Sequence, residues 1–382
     1  MELKFLDSFI NEVKKIYKEP YTPLHRPVFD QNEKDYLIEC IDSNFVSSVG
    51  QKVKDFENSI IDFTGAKYAI ATVNGTSALH LAMLLAGVKA GDEVITQSLT
   101  FVATCNAIAY ANAIPVFIDV NKDTMGMSPD ALECFLKENA KIKDGKTYNN
   151  KTGKRISACV PMHTFGMPLR IKEISAICND WGISVVEDAA ESLGSFFEKK
   201  HTGTFGELGT LSFNGNKIIT TGGGGMIITN NERLAAKAKH LSTTAKVTHP
   251  YEYSHDMVGY NYRLPNINAA LGCAQMLKIK NFLEIKKDLS NHWKNYFGEH
   301  NVDFCTPIKG AESNNWLHAI LLNSKKERDI FIEYTNKNDV MTRPIWKLMS
   351  DLPMFSECQR DSLKNSKWLE ERVVNIPSSI PA

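Results

Sequence analysis

The chain has 382 residues, 43% hydrophobic and 23% charged, which is typical of a globular protein long enough for two domains. Lys plus Arg and Asp plus Glu each number 44, so bulk charge favours neither nucleic acid nor a membrane surface as a partner. The N-terminus is acidic and no apolar stretch is long enough for a membrane span, so we predict neither a secretory signal nor a transmembrane helix. Eight cysteines without a CxxC pair predict no metal site and indicate free thiols in a cytoplasmic protein.

Apolar segments of strand length alternate with segments of helical spacing in the first two thirds of the chain. The predicted strands, in chain order, are YAIATV (68–73), DEVITQ (92–97), PVFIDV (115–120), ISACVPM (156–162), ISVVED (183–188) and TLSF (210–213). The predicted helices are SALHLAMLLAG (77–87), FVATCNAIAYANA (101–113), PDALECFLKEN (129–139) and IKEISAICNDW (171–181). This alternation predicts an α/β fold whose large, mainly parallel mixed sheet is covered by helices.

The remaining segments complete the predicted domain organisation. The polar stretch 141–155 is predicted to be an exposed loop. A helix over 265–277 is predicted to lead into a smaller α/β domain, with a strand at WLHAILLN (316–323) and a helix at KERDIFIEYTNKN (326–338). We therefore predict a large domain over 1–275, including the N-terminal segment, and a smaller one over 276–382.

Three polar segments follow predicted strands, where ligands bind in parallel sheets. The first is NGTSAL (74–79), a glycine turn that opens a helix. Free backbone N–H groups and the positive end of the helix dipole suit a phosphate there. The alternative is an ordinary helix cap by Thr76 or Ser77.

The second segment is EDAAES (187–192), in which Asp188 stands at the end of a predicted strand. This carboxylate could orient a cation, bind a metal or cap the next helix. Metal binding is the weakest of the three readings, because no histidine-rich segment lies nearby.

The third segment is LSFNGNKIITTGGGGMI (211–227), in which Lys217 stands between a predicted strand and apolar residues. A solvated surface lysine is the alternative, but a desolvated lysine loses its proton readily and forms Schiff bases with aldehydes. Ser212 adds a hydroxyl, and Gly222 to Gly225 allow a bulky group to approach the backbone. A phosphate cradle, a strand-end carboxylate and a nucleophilic lysine together meet the needs of pyridoxal phosphate (PLP).

The set NGTSAL, GDEVITQSLTFVAT, VVEDAAES and LSFNGNK with TTGGGGMI resembles the DegT-type nucleotide-sugar aminotransferases, which are fold-type-I PLP enzymes. The resemblance extends from PLHRPVF (23–29) to MTRPIW (341–346). The segments FVSSVG, MHTFGMP, VGYNYRLPNINAALG and MTRPIWKLM are most similar to the branch that acts in legionaminic acid or bacillosamine synthesis. That branch aminates C4 of a nucleotide-linked 4-keto-6-deoxy-N-acetylhexosamine.

The resemblance implies roles for residues around the cofactor ring. Lys217 would bind the cofactor aldehyde and move the proton, and Asp188 would pair with the pyridinium nitrogen. Glu191 would lie near the ring hydroxyl, where the family commonly has Gln or another polar residue. Phe101 would lie against the ring, with a core aromatic as the alternative. Because some family members that deoxygenate sugars have histidine at the lysine position, Lys217 favours transamination.

The resemblance also implies a phosphate site and a partner subunit. Gly75, Thr76, Ser77 and Ser212 would bind the cofactor phosphate. Asn261 resembles the asparagine that reaches the phosphate of the neighbouring subunit, which implies a homodimer with shared active sites.

Five further residues are candidates for contacts with the nucleotide sugar. Arg343 could bind a diphosphate through its fork of donors, although a structural salt bridge is a commoner use of one arginine. Trp346 stands close to it in the predicted smaller domain. Lys246 and His249 lie in a long predicted loop and could also reach the diphosphate. His163 could contact substrate or stack near the cofactor, or it could be a histidine at a strand end with satisfied nitrogens.

We therefore predict transfer of an amino group from glutamate to the C4 ketone of a nucleotide-linked sugar, UDP-linked in the first instance. The alternatives are a GDP- or dTDP-linked keto sugar, as in perosamine synthesis, or a non-catalytic PLP-binding regulatory protein. A nicotinamide-dependent oxidoreductase is disfavoured, since no GxGxxG follows the first strand. The loop over 141–155 and the segment around Arg343 are the predicted determinants of the nucleotide.

Overall fold

A computed structural model describes residues 3–381. Its α-helices are α1 (Leu3–Tyr17), α2 (Gln31–Asp42), α3 (Gln51–Thr64), α4 (Gly75–Leu85), α5 (Val102–Tyr110), α6 (Pro129–Asn139), α7 (Ile171–Asp180), α8 (Glu232–Ser242), α9 (Asn266–Met276), α10 (Ile279–Glu299), α11 (Lys325–Lys337) and α12 (Lys364–Glu370). Short 3₁₀ helices span Thr164–Gly166, Met349–Asp351 and Pro353–Phe355.

The strands form three sheets. In chain order they are β1 (Tyr68–Thr72), β2 (Glu93–Gln97), β3 (Ile114–Ile118), β4 (Ala140–Lys143), β5 (Lys146–Asn149), β6 (Arg155–Val160), β7 (Ser184–Asp188), β8 (Phe196–Phe197), β9 (Lys200–His201), β10 (Leu208–Ser212), β11 (Gly225–Thr229), β12 (Asp303–Phe304), β13 (Ala311–Glu312), β14 (His318–Leu321), β15 (Arg343–Pro344) and β16 (Val373–Ile376). Strands β13, β8 and β9 form a small three-stranded sheet.

The large sheet has the strand order β1-β11-β10-β7-β6-β2-β3, with the hairpin β4-β5 attached to β6. Neighbours from β10 to β3 are parallel, whereas β11 runs antiparallel to both β10 and β1. The strand ends of β1, β7 and β10 therefore lie at one edge of the sheet. This arrangement confirms the predicted mixed, mainly parallel sheet.

Buried side chains cover both faces of the large sheet. Helices α4 and α8 pack with β1, β7, β10 and β11 in one apolar cluster. Helices α6 and α7 pack with β2, β3 and β6 in another. Strands β2 and β11 are buried at every position, as expected for strands with helices on both faces. Ser128 caps α6 by accepting from the N–H of Ala131, and proline follows it as predicted.

A four-stranded antiparallel sheet, in the order β12-β14-β16-β15, forms the C-terminal part of the protein. Its apolar core includes Trp293, Phe331 and, from α1, Phe9 and Val13. The N-terminal helix therefore packs on the smaller sheet, although the sequence analysis grouped it with the large domain. The boundary at residue 275 stays a prediction.

Lys286, on α10, is fully buried in this C-terminal part. Its Nζ donates to the carbonyl oxygens of Asn315 (3.1 Å), Trp316 (2.9 Å) and Ser378 (2.5 Å). Burial holds the pKa of Lys286 well below its ordinary value. These hydrogen bonds connect α10 to the segment before β14 and to the segment after β16.

The predicted loop over 141–155 is wrong for most of its length, because β4 and β5 form a hairpin there. Asp144 and Gly145 make its two-residue turn with φ of 51° and 68°, values that a type I′ turn requires. Strand β5 pairs with Arg155 and Ile156, the first residues of β6. The hairpin therefore lies beside the amino-terminal end of β6, whereas Asp188 lies at the carboxyl-terminal end of β7. Within one protomer, this position makes the hairpin a poor candidate for binding the nucleotide.

Within residues 3–381, no helix combines the length and the apolar character that crossing a membrane requires.

Candidate active site

A cavity of about 610 Å³ opens where β1, β7 and β10 end and the C-terminal sheet approaches. It brings together nine of the predicted site residues: Gly75, Thr76, Phe101, Asp188, Glu191, Ser212, Lys217, Arg343 and Trp346. The segments that supply them are far apart in sequence. The parallel topology gathers the first seven because the strands that precede them end on the same side of the large sheet, and Arg343 and Trp346 come from the C-terminal sheet segment at β15.

The first turn of α4 forms one end of this cavity. Asn74 is the N-cap, and its side chain accepts from the N–H of Ser77 at 2.7 Å, so neither Thr76 nor Ser77 is the cap. The N–H groups of Gly75 and Thr76 have no hydrogen-bond acceptor within residues 3–381. A Cβ at position 75 would lie 2.9 Å from the Cβ of Ser212, so only glycine leaves this approach open. The result is an anion cradle with free donors.

Asp188 ends β7 and is buried behind the same cavity. Its carboxylate accepts from the hydroxyl of Thr104 at 2.7 Å and from the N–H of Ala190 at 3.2 Å. Burial raises the pKa of Asp188 above its ordinary value, although these two hydrogen bonds and the charge of Lys217 oppose the rise. The anion is therefore under-compensated, and a cation in the cavity would stabilise it.

Lys217 lies in the connection between β10 and β11, with the buried Ile218 and Ile219 directly after it. Its side chain is only 12% exposed. The Nζ atom lies 3.3 Å from Oε1 of Glu191 and 4.0 Å from the centre of the Trp316 ring. Lys217 is thus a largely buried amine held between a carboxylate and an aromatic face.

Aromatic and cationic side chains form the outer wall of the cavity. The Trp346 ring centre lies 5.0 Å from that of Phe165 and 6.1 Å from that of Phe101. Phe101 is 48% exposed, so it is not a core residue of this chain. Arg343 donates to the Oδ1 of Asn336 and pairs with no carboxylate in the described part of the chain. The structural salt bridge considered for Arg343 is therefore absent there.

Five predicted residues lie outside the cavity lining, and two of them, His163 and Ser77, are buried. His163 is fully buried, with Nε2 3.0 Å from Glu187 and Nδ1 accepting from the N–H of Leu169. Its position fits the buried histidine with satisfied nitrogens rather than a substrate contact. Ser77 is also buried, and its N–H is used by the Asn74 cap.

The other three, Lys246, His249 and Asn261, belong to one segment of the chain and do not line the cavity of their own protomer. The Nζ of Lys246 lies over the ring of Tyr253 at 4.0 Å. The Nδ1 of His249 accepts from a nearby backbone N–H at 2.9 Å. Asn261 accepts from the Nε of an arginine two residues along. Their predicted contacts with cofactor or substrate stay predictions.

Comparison with known proteins identifies the family. The DegT/DnrJ/EryC1/StrS aminotransferase family matches residues 27–380, almost the whole chain. The chain belongs to this family. It is 38% identical to EpsN of Bacillus subtilis, assigned as a pyridoxal phosphate-dependent aminotransferase, over 90% of this chain and 84% of that protein. It is 34% identical to the GDP-perosamine synthase of Escherichia coli O157:H7, over 94% and 93% of the two chains.

Solved structures of DegT-family enzymes share the fold. The aminotransferase PseC of Helicobacter pylori, which is involved in pseudoaminic acid biosynthesis, superposes with a TM-score of 0.84. The match covers 94% of this chain and 93% of PseC at 23% identity. The predictions of the fold and of a PLP-dependent aminotransferase are confirmed.

The site of this DegT-family chain has a suitable group for each part of PLP. The free N–H groups at α4 suit the phosphate. The buried, under-compensated carboxylate of Asp188 suits a protonated pyridine nitrogen, and the amine of Lys217 suits the aldehyde. These three features share one cavity. The residues present therefore fit the family's cofactor.

Sequence analysis missed two residues of this DegT-family site. Trp316 lies against the amine of Lys217, and its indole N–H donates to the carbonyl oxygen of Asn216. It stands two residues before β14, and sequence analysis included it only as the first residue of the predicted strand WLHAILLN. Lys347 also lines the cavity, next to Trp346, and adds a second positive charge to the wall that contains Arg343. A search for basic residues beside the predicted Arg343 would have found it.

Proposed function

We propose that the protein transfers the amino group of glutamate to the C4 ketone of a nucleotide-linked 4-keto-6-deoxy sugar. The observation that carries this proposal is the cavity in which the anion cradle, Asp188 and Lys217 meet beneath the wall of Trp346 and Arg343. A small donor acid and a larger sugar nucleotide would use this cavity in turn, as ping-pong transfer requires.

Pyridoxal phosphate, when bound, supplies an aldehyde and an electron sink. Gly75, Thr76 and Ser212 would hold its phosphate, and Asp188 would keep the pyridine nitrogen protonated by favouring the charged form. Lys217 would provide the amine at Nζ that holds the aldehyde, and the same Nζ would serve as a general base and acid. Trp316 excludes water from one side of that amine. Phe101, which lines the same cavity, would pack against the cofactor ring.

The wall beyond Lys217 would bind the sugar nucleotide. Arg343 and Lys347 are two cations that suit a diphosphate, and Arg343 brings a fork of donors. Trp346 offers an apolar face for a sugar or a base. These three residues come from one short segment at β15, so one segment would set much of the substrate preference.

Two nucleotides are candidates. A UDP-linked N-acetylated sugar follows from the resemblance of segments such as MTRPIWKLM to the legionaminic acid and bacillosamine branch. A GDP-linked sugar is favoured by the 34% identity to a GDP-perosamine synthase over nearly both whole chains. The UDP sugar is the primary proposal and the GDP sugar is the second.

Competition between sugars tests both candidates. Purified protein with PLP and glutamate is offered UDP-, GDP- and dTDP-linked 4-keto-6-deoxy sugars, and 2-oxoglutarate and the amino sugar are measured. We expect the highest kcat/KM with the UDP sugar. Preference for the GDP sugar would replace the nucleotide assignment and leave the reaction intact. If none of the three sugars gives an amino sugar, with 2-oxoglutarate released beyond one equivalent per site, the substrate class is contradicted.

We also propose a homodimer in which Asn261 reaches the cofactor phosphate of the partner subunit. Supporting this, Tyr251, Tyr253 and Val258 are each more than 80% exposed in the single chain. A mixture of Lys217→Ala and Asn261→Ala subunits tests it. A heterodimer would contain one site with both side chains intact, so activity should return when the two inactive variants are co-expressed. No recovery in a purified heterodimer would contradict the shared site.

A further inference from the structure

Glu191 is a buried carboxylate that the proposed chemistry does not yet use. It lies just beyond β7 and is 4% exposed. Its backbone carbonyl accepts from the side chain of Asn314 at 2.9 Å, so the turn that carries it is held in place. Its Oε1 lies 3.3 Å from the Nζ of Lys217, the atom that must react.

The second oxygen of Glu191 is held by an unusual piece of backbone. The N–H of Phe165 donates to Oε2 at 2.9 Å. Phe165 has φ 57° and ψ 19°, a left-handed conformation that few residues with a side chain adopt. Its ring packs under Trp346 with ring centres 5.0 Å apart. This strained turn fixes the carboxylate so that the other oxygen faces Lys217.

The charges around Lys217 do not balance. Asp188 and Glu191 are the carboxylates that act on this amine, and both are buried. Asp188 is engaged by Thr104 and Ala190, whereas Glu191 contacts the amine itself. Moving one proton from Nζ to Oε1 breaks an N–H bond, forms an O–H bond and removes one positive and one negative charge from a buried site. Burial favours that neutral pair.

We propose that Glu191 accepts the proton that Lys217 must lose before its neutral amine can attack an aldehyde. Glu191 is then a catalytic residue in contact with the reacting atom, and it returns the proton when Lys217 is released. This role rests on the proposed function only in taking Lys217 as the reacting amine.

The electrostatics of the pocket support this role. Burial raises the pKa of Glu191 to about 7. The charge of Lys217 and the N–H of Phe165 oppose that rise, while the negative charge of Asp188 adds to it. A carboxyl that titrates near neutrality can both take and give a proton at working pH.

The test uses PLP-free protein and the variants Glu191→Gln, Glu191→Asp and Glu333→Gln. Gln keeps the size of the side chain and an acceptor for the N–H of Phe165 but cannot take the proton. Asp restores a carboxyl at a shorter reach. Glu333 faces Lys337 at 2.7 Å on the surface and is the matched control. The rate of PLP attachment to Lys217 is followed by absorbance at pH 7 and confirmed by borohydride trapping and mass spectrometry.

We expect PLP attachment to be roughly 100-fold slower in Glu191→Gln than in wild type, within the range of general acid–base effects. The rate should recover partly in Glu191→Asp and should equal that of wild type in Glu333→Gln. Equal rates in wild type and Glu191→Gln would overturn the role of Glu191 alone. Failure of wild type to attach PLP would overturn the proposed function as well.

Stability of the PLP-free protein gives a second readout that does not depend on turnover. A carboxyl whose folded pKa is raised favours folding below its unfolded value near 4.5 and loses that contribution as pH rises through about 7. Wild type should therefore lose Tm relative to Glu191→Gln between pH 4.5 and 7. A constant difference in Tm over that range would overturn the proposal.

Discussion

The anion cradle at α4 predicts that Gly75→Ala weakens PLP binding. A Cβ at position 75 would lie 2.9 Å from the Cβ of Ser212 and 3.1 Å from its Oγ. Ser212 is the last residue of β10 and is paired with Gly225, so its backbone cannot retreat and its side chain must turn. Both the hydroxyl and the free N–H of Gly75 then lose their alignment with a phosphate.

The size of the effect follows from the hydrogen bonds at risk. Losing one hydrogen bond to a charged group costs about 1.5–3 kcal/mol. At about 1.4 kcal/mol for each factor of ten, the Kd for PLP should rise roughly 10- to 150-fold. Overpacking should also lower the free energy of unfolding by about 1–3 kcal/mol.

The assay is a titration of PLP-free protein with PLP, followed by absorbance, and urea unfolding gives the stability. Gly298→Ala is the matched control, because a Cβ there meets no atom within 4 Å and the site is in the last turn of α10. That control should keep the Kd and gain about 0.5–1 kcal/mol of stability. An unchanged Kd in Gly75→Ala would refute the cradle as the phosphate site.

Three further changes test the rest of the site and its support. Lys217→Ala should fold with an unchanged circular dichroism spectrum and show no turnover, and measurable turnover would contradict its role. Asp188→Asn should retain PLP while losing most of kcat, since an amide cannot stabilise a protonated pyridine nitrogen as an anion does; near-normal kcat would assign that part to another group. Lys286→Met should destabilise the fold, because three buried carbonyl oxygens lose their donor, at about 1–3 kcal/mol for each one left unsatisfied. Urea unfolding at pH 7 measures this loss, and an unchanged free energy of unfolding in Lys286→Met would contradict the role of these three hydrogen bonds.

The parts of the site that sequence predicted are those where an apolar strand ends at a reactive side chain. Asp188 ends ISVVED and Lys217 follows TLSF, and parallel strands deliver such ends to one edge. The identity of the cap at α4 was predicted less well. Thr76 and Ser77 have side chains that commonly cap helices, but both lie inside the first turn of α4. The N-cap is Asn74, directly before the helix.

Other features depended on information that local sequence does not carry. The side chain of His163 turns inward because Glu187, on the neighbouring strand β7, forms a hydrogen bond with its Nε2. No local pattern gives that direction. The hairpin β4-β5 could have been predicted, since Asp144-Gly145 is a strong two-residue turn signal, but the polar composition around it indicated a loop.

The pairing of the antiparallel strand β11 predicts that the cradle forms late in folding. Thr72, directly before the α4 turn, pairs with Gly225, and about 150 residues of chain separate them. The loop that carries Lys217 ends at the same Gly225, so the phosphate cradle and the amine are brought together by one long-range pairing. Loop-closure entropy makes such pairings slow. During synthesis, the site therefore cannot form before β11 has left the ribosome. In refolding experiments, the appearance of the PLP absorbance should mark the pairing of β11 with β1 and β10.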